Sequence, residues 1–103
     1  MSADDSHQAI LQTLASIPIG YVCTYGVVAK LSGNAGKARY VGYILKNLPQ
    51  SSSIPWHRVI NSQGRSSFPI HSERYLLQIT RLEKEGVQII KGKIKLKTYL
   101  WQG

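Results

Sequence analysis

Apolar positions along the first third of the chain recur at helical spacing. Ile10, Leu11, Leu14 and Ile17 fall on one face of a helix, and Asp5 with Gln8 three residues on forms a capping-box arrangement that would start it. Pro18 and Gly20 stop it, and residues 1–5 are expected to lie outside the folded part. Thr24 is a second N-cap candidate, opening a short helix through Val27, Val28 and Leu31 that ends at Ser32, Gly33 and Asn34. Residues 37–48 predict a third helix, with Ala38, Val41, Leu45 and Leu48 turned inward. Its opposite face carries Arg39, Gly42, Tyr43 and Lys46, which is basic, aromatic and thin at the glycine.

Two short helices joined by a Gly/Asn turn make a helix-turn-helix pattern over about residues 24–48, with the third helix in the recognition position. The pattern is weak by itself. After a Ser-rich loop, residues 54–60 read as a buried segment, followed by a turn at Asn61, Ser62, Gln63 and Gly64. Ser72 caps a fourth helix carrying Leu76, Ile79 and Leu82, and Gly86 is placed to end it. Residues 87–101 alternate, with Lys91, Lys93, Lys95 and Lys97 on one side and Gly92, Ile94 and Leu96 on the other. That is strand periodicity, and a hairpin turning near Lys91 and Gly92 would resemble the wing of a winged helix. Its lysines fit either phosphate contact or the blunting of an edge strand against aggregation.

Composition narrows the classes. The chain has 103 residues, 43% of them hydrophobic and 17% charged, which predicts one globular domain. No apolar run approaches the roughly 20 residues of a membrane span, and the Met-Ser-Ala-Asp-Asp start lacks a signal-peptide pattern, so a soluble intracellular protein is expected. Cys23 is the only cysteine, which excludes an internal disulfide and a cysteine-cluster metal site. It reads as a small core residue. The net charge of +8 is unevenly spread: no Asp or Glu occurs between Ser6 and Ser72, where Lys30, Lys37, Arg39, Lys46, Arg58 and Arg65 all lie. An ordinary basic surface would account for this, but a face that displaces counterions from a nucleic-acid backbone accounts for it better.

The segment Ile54-Pro55-Trp56-His57-Arg58-Val59-Ile60 resembles the Pro-Cys-His-Arg-Val motif of the O6-alkylguanine-DNA alkyltransferases, with Trp56 in the cysteine's place. That substitution marks the alkyltransferase-like proteins. Upstream, Thr24-Tyr25-Gly26 and Ala38-Arg39-Tyr40-Val41-Gly42 are similar to that family's Ser/Thr-Tyr and Ala-Arg-x-Val-Gly motifs, at matching spacing. Downstream, Asn61-Ser62-x-Gly64 and Arg81-Leu82-Glu83-x-Glu85-Gly86 continue the likeness, which covers about residues 6–86. The resemblance implies an α/β, mainly α, fold like the transferase C-terminal domain, with a helix-turn-helix and a lysine-rich wing.

The resemblance also implies roles. Tyr25 matches the tyrosine that presses on the lesion-side phosphate, and Arg39 the arginine that enters the base stack where a flipped base was. Filling that gap offsets an unstacking cost of a few kcal/mol, and a planar guanidinium suits the task. Lys37, Gly42, Tyr43 and Lys46 complete the expected DNA-binding face, and Trp56, His57, Tyr25 and Arg65 the expected flipped-base pocket. His57 and Glu85 match a histidine and the glutamate that polarises it, and together with Arg58 and Asn61 they are expected to form a structural hydrogen-bond network. Indole has no nucleophile comparable to a thiolate, so transfer is chemically unavailable. His7 and His71 carry no motif and read as surface residues. This chain departs from the family at Leu48-Pro49, where an Asn-Pro is common, and in the loop of residues 65–70. Pocket size and lesion range therefore do not carry over.

The expected function is non-enzymatic: recognition of O6-alkylguanine in double-stranded DNA by nucleotide flipping, without cofactor or metal. The resemblance implies a hand-over to nucleotide excision repair proteins, through UvrA in a bacterial source. A monomer is expected, in the cytoplasm with the nucleoid of a bacterium or in the nucleus of a eukaryote. Two rivals remain. One is a sequence-specific winged-helix regulator, the other a lesion-processing enzyme using His57 and Glu85 as an acid–base pair.

Overall fold

Ile10, Leu14 and Ile17 are fully or almost fully buried, as their spacing requires, and they anchor the first helix in the core. The computed structural model describes residues 3–103. This helix, α1, runs Ala3–Ser16. Asp5 therefore sits within its first turn and is not its cap, and the fold begins earlier than expected. The expectation for Met1 and Ser2 lies outside the described residues.

A two-residue strand β1 (Cys23–Thr24) leads directly into α2 (Tyr25–Leu31), and Thr24 caps that helix by accepting a hydrogen bond from the Val27 amide at 3.2 Å. A tight turn leads to α3 (Ala38–Lys46), shorter than expected because Asn47 closes it with a side-chain donation to the Tyr43 carbonyl at 2.8 Å. The buried residues of α3 are Val41 and Ile44, one turn apart, while Leu45 and Leu48 are only half-buried. The inward face is thus rotated from the one expected, and Arg39, Tyr43 and Lys46 remain exposed. The α2–α3 pair is the helix-turn-helix of a mainly helical α/β fold.

A single 3-10 turn (Trp56–Arg58) runs into strand β2 (Val59–Ile60), which pairs in parallel with β1, Cys23 against Val59 and Thr24 against Ile60. Strands this short leave no periodicity in a sequence. Their value is positional, since they set the start of α2 beside the Trp56 turn. On the other edge of β1, Val22 bridges Leu100, and the Trp101 amide donates to the Val22 carbonyl at 2.8 Å.

Helix α4 (Glu73–Lys84) is capped by Ser72, whose hydroxyl accepts from the Tyr75 amide at 3.2 Å, and Gly86 follows its C-cap at φ 89°. Leu76, expected inside, is 52% exposed. Gln78 is buried instead and earns its place by hydrogen bonds, donating to the carbonyls of His57 at 3.1 Å and Val59 at 2.9 Å and accepting from Ser66 at 2.5 Å. A buried amide is tolerated when its polar atoms are satisfied. Amphipathic spacing alone does not reveal such a position.

The expected hairpin forms as β3 (Ile89–Ile90) and β4 (Lys93–Ile94), antiparallel, with Lys91 and Gly92 both at positive φ in the turn. The strand does not continue as expected. After Lys95 the chain turns into a short helix α5 (Leu96–Tyr99), which places Leu96 and Tyr99 against the cluster of Val22, Ile60, Leu82, Val87 and Ile94. Apolar residues three apart serve a helical turn as well as an irregular strand, and burial decides between them. A second cluster, with Ile10, Leu14, Cys23, Val28, Val41 and Ile44 among its members, lies under α1, α2 and α3. At Gly64, φ is 82° and a Cβ would collide with the carbonyl of Ile94, whose amide donates to the Gly64 carbonyl at 2.8 Å. Only glycine allows β4 to approach the loop of residues 61–65 this closely.

Candidate nucleic-acid interface

The exposed side of α3 is the natural contact face. Arg39 and Lys46 project from it, and Tyr43, 64% exposed, stacks at 6.4 Å against the half-buried Tyr40. Lys37 is exposed just before the helix and makes no side-chain cap hydrogen bond. None of these cations meets a carboxylate in an ion pair; among the described residues the arginine or lysine that does so is Arg58, with Glu85. A basic, aromatic, unneutralised helix face is suited to a phosphate backbone and a groove.

Beside this face lies a cavity of about 300 Å³, lined by Tyr25, Gly42, Leu45, Lys46, Trp56, Phe68 and Arg74. Tyr25 reaches it because Thr24 fixes the start of α2, and Gly42 opens it because that position of α3 has no side chain. A Cβ on Gly42 would stand 3.8 Å from the Tyr25 ring, an ordinary contact, so the glycine is not needed for internal packing. Trp56 forms one wall. Its ring meets Phe68 edge-on at 5.8 Å, and the guanidinium carbons of Arg74 and Arg81 lie 4.5 and 5.4 Å from its centroid. Those two arginines are seven residues apart on α4, hence on one helical face. The sequence shows that they share a face, but not that the face covers Trp56, and neither they nor Phe68 was among the expected site residues.

Behind Trp56, the side chain of His57 is about nine-tenths buried, with Nε2 2.8 Å from Glu85 Oε2. The carboxylate only accepts, so Nε2 carries the proton and Nδ1 is left as a bare acceptor with no partner. Burial lowers the His57 pKa, outweighing the hydrogen bond and charge of Glu85, and so favours the neutral ring. Arg58 donates to both oxygens of Glu85, holding its pKa down to about 2. The same guanidinium donates to the Ile17 carbonyl at 2.8 Å.

Three expected residues stand elsewhere. Arg65 does not line the cavity; it is exposed and donates to the Lys91 carbonyl at 3.2 Å, bracing the hairpin turn. His57 sits behind the cavity wall, not in it. Asn61 takes no part in the Glu85 network, because its side-chain oxygen accepts from the amides of Gln63 at 2.9 Å and Arg65 at 3.0 Å and so builds the local turn. Cys23 is fully buried, donates weakly to the Trp101 carbonyl at 3.6 Å, and has its pKa raised by burial to about 11. Among the described residues no group of three or more His, Cys, Asp or Glu stands ready to hold a metal ion, and no helix is long and apolar enough to cross a membrane.

The chain is similar to known proteins in sequence and in fold. A DNA base-flipping protein of Vibrio parahaemolyticus is 46% identical over 94 residues, covering 90% of this chain and 92% of that protein. Alkyltransferase-like protein 1 of Schizosaccharomyces pombe is 37% identical, with 99% of each chain covered. The crystal structure of S. pombe Atl1 with damaged DNA containing O6-carboxymethylguanine superimposes with a TM-score of 0.89 at 37% identity, covering both chains completely. The family model for the 6-O-methylguanine DNA methyltransferase DNA-binding domain matches residues 5–87, from α1 through the end of α4, and therefore takes in α3, Trp56 and the Glu85 network together. By that match, the chain belongs to the family of the 6-O-methylguanine DNA methyltransferase DNA-binding domain.

Proposed function

We propose that this protein is a non-enzymatic sensor of DNA damage: it binds duplex DNA, turns an O6-alkylguanine nucleotide out of the helix into the cavity beside Trp56, and marks the site for other proteins. The observation that carries the reading is the cavity itself, which joins the basic face of α3 and has an indole as one wall. Tyr25 would crowd the lesion-side phosphate and Arg39 would fill the vacated stack. The base-flipping name of the Vibrio relative and the damaged duplex held by S. pombe Atl1 support this assignment.

Transfer of the alkyl group to the protein is not part of the proposal. An indole N–H donates only, and the thiol of Cys23 is buried in the core with its proton held up to about pH 11. His57 and Glu85 then serve to hold the Trp56 turn against α4. A protein that holds damage without repairing it acts through a partner, and nucleotide excision repair proteins, UvrA in a bacterium, fit that part. A monomer acting at the nucleoid of a bacterium or in the nucleus of a eukaryote completes the proposal.

Titration of one duplex with and without O6-methylguanine tests it, combined with mass spectrometry of protein and DNA. The expected result is tighter binding to the lesion, with both masses unchanged. Equal affinity for the two duplexes would favour a sequence-specific regulator. A methyl group gained by the protein, or a base released from the DNA, would establish an enzyme.

A further inference from the structure

The walls of the cavity beside Trp56 are largely apolar, yet two of its lining residues are cations on different helices. Lys46 comes from α3 and Arg74 from the first turn of α4, and no acidic residue lines the space. Arg74 is held over the indole, 4.5 Å from its centroid, so its planar fork is oriented by stacking while its N–H donors stay available. A neutral alkyl group on a flipped guanine would satisfy Leu45, Trp56 and Phe68 and leave those donors to water. A substituent ending in a carboxylate would fill the same apolar space and give the fork a two-point acceptor. Closing DNA over the cavity removes competing water, which strengthens that contact.

We infer that Arg74 is a specificity-determining residue that tunes this cavity toward O6-substituents ending in a carboxylate, such as carboxymethyl, over neutral groups of the same shape. The inference rests on the lesion-binding reading above. It assigns Arg74 a task distinct from that of Lys46, which extends from the DNA-facing helix and is placed for the phosphate backbone.

The test compares four duplexes identical except at one base: guanine, O6-methylguanine, O6-carboxymethylguanine and its neutral isostere O6-carbamoylmethylguanine. The native protein should bind the carboxymethyl duplex about tenfold or more tighter than the carbamoylmethyl one, the scale of a hydrogen bond to a charged group. In Arg74→Gln that ratio should fall to one while the preference for O6-methylguanine over guanine persists. Arg74→Lys should retain part of the ratio, since it keeps the charge and loses the fork. Equal affinity of the native protein for the two isosteres overturns the inference and leaves lesion binding standing. Uniform weakening of all four duplexes by Arg74→Gln, with a shallower salt dependence, also overturns it and makes Arg74 a phosphate contact. Equal binding of the guanine and O6-methylguanine duplexes by the native protein overturns the lesion-binding reading itself, and this inference with it.

Discussion

Arg58 and Glu85 meet in a two-point ion pair, with Nε 2.9 Å from Oε1 and Nη2 2.8 Å from Oε2. Because Arg58 also reaches the Ile17 carbonyl, this one pair ties the end of α1, the Trp56 turn and the end of α4 together. Both side chains are largely buried, 13% and 16% exposed, so solvent screens the contact little.

The pair predicts where acid weakens the fold. Glu85 binds its proton more weakly folded than unfolded, so its contribution is complete above the ordinary carboxylate pKa of 4.5 and is lost as pH falls toward about 2. A shift of that size corresponds to about 3 kcal/mol. His57 is depressed as well, so below its ordinary 6.5 the unfolded chain takes up a proton first and stability declines in the same direction. Urea unfolding from pH 7 to pH 3 should show a falling midpoint. Glu85→Gln should be less stable at pH 7 by about 2–3 kcal/mol and should lose most of the acid dependence below pH 5. An unchanged pH profile would remove Glu85 from this role.

Gly42→Ala should separate stability from binding. The added methyl meets only an ordinary contact with Tyr25, and replacing a mid-helix glycine favours the helix by about 0.5–1 kcal/mol. The variant should therefore melt at the same temperature or slightly higher. Since Gly42 lines the cavity, its affinity for O6-alkylguanine DNA should nonetheless fall several-fold. A variant that melts higher and binds the lesion normally would show that the cavity is not the lesion site.

Lys46→Ala addresses the backbone contact. If Lys46 neutralises one phosphate, the slope of log affinity against log salt should lessen by about 0.9, for damaged and undamaged duplexes alike. Titrations across a range of salt concentrations measure this. An unchanged slope would show that Lys46 serves only the cavity.

Arg39→Ala concerns flipping. Leaving the vacated stack empty forfeits part of a few kcal/mol, so lesion affinity should drop at least about tenfold, or 1.4 kcal/mol, with a much smaller loss on undamaged DNA. A 2-aminopurine placed next to the lesion should brighten with the native protein and stay dim with the variant. Equal loss on both duplexes with brightening retained would make Arg39 an ordinary phosphate contact.

Local chemistry announced the helices. Thr24 and Ser72 cap where their hydroxyls reach the amides three residues on, Pro18 and Gly20 end α1, and Gly86 takes the positive φ that closes α4, because each depends on neighbours within a turn of the chain. The motifs around Tyr25, Arg39 and Trp56 likewise carry the family likeness in the sequence alone. Tertiary structure decided what touches what. The β1–β2 pairing joins residues 36 positions apart through strands of two residues each, too short to leave a pattern. Gln78 is buried because the carbonyls of His57 and Val59 await it, and Leu76 is left outside although its spacing suited the core. Arg65, expected in the pocket, turns to the hairpin, while Arg74 and Arg81, not expected there, cover Trp56. Capping and periodicity are properties of one segment, whereas cavity walls and ion pairs belong to segments that meet only when the core excludes water and fixes their distance.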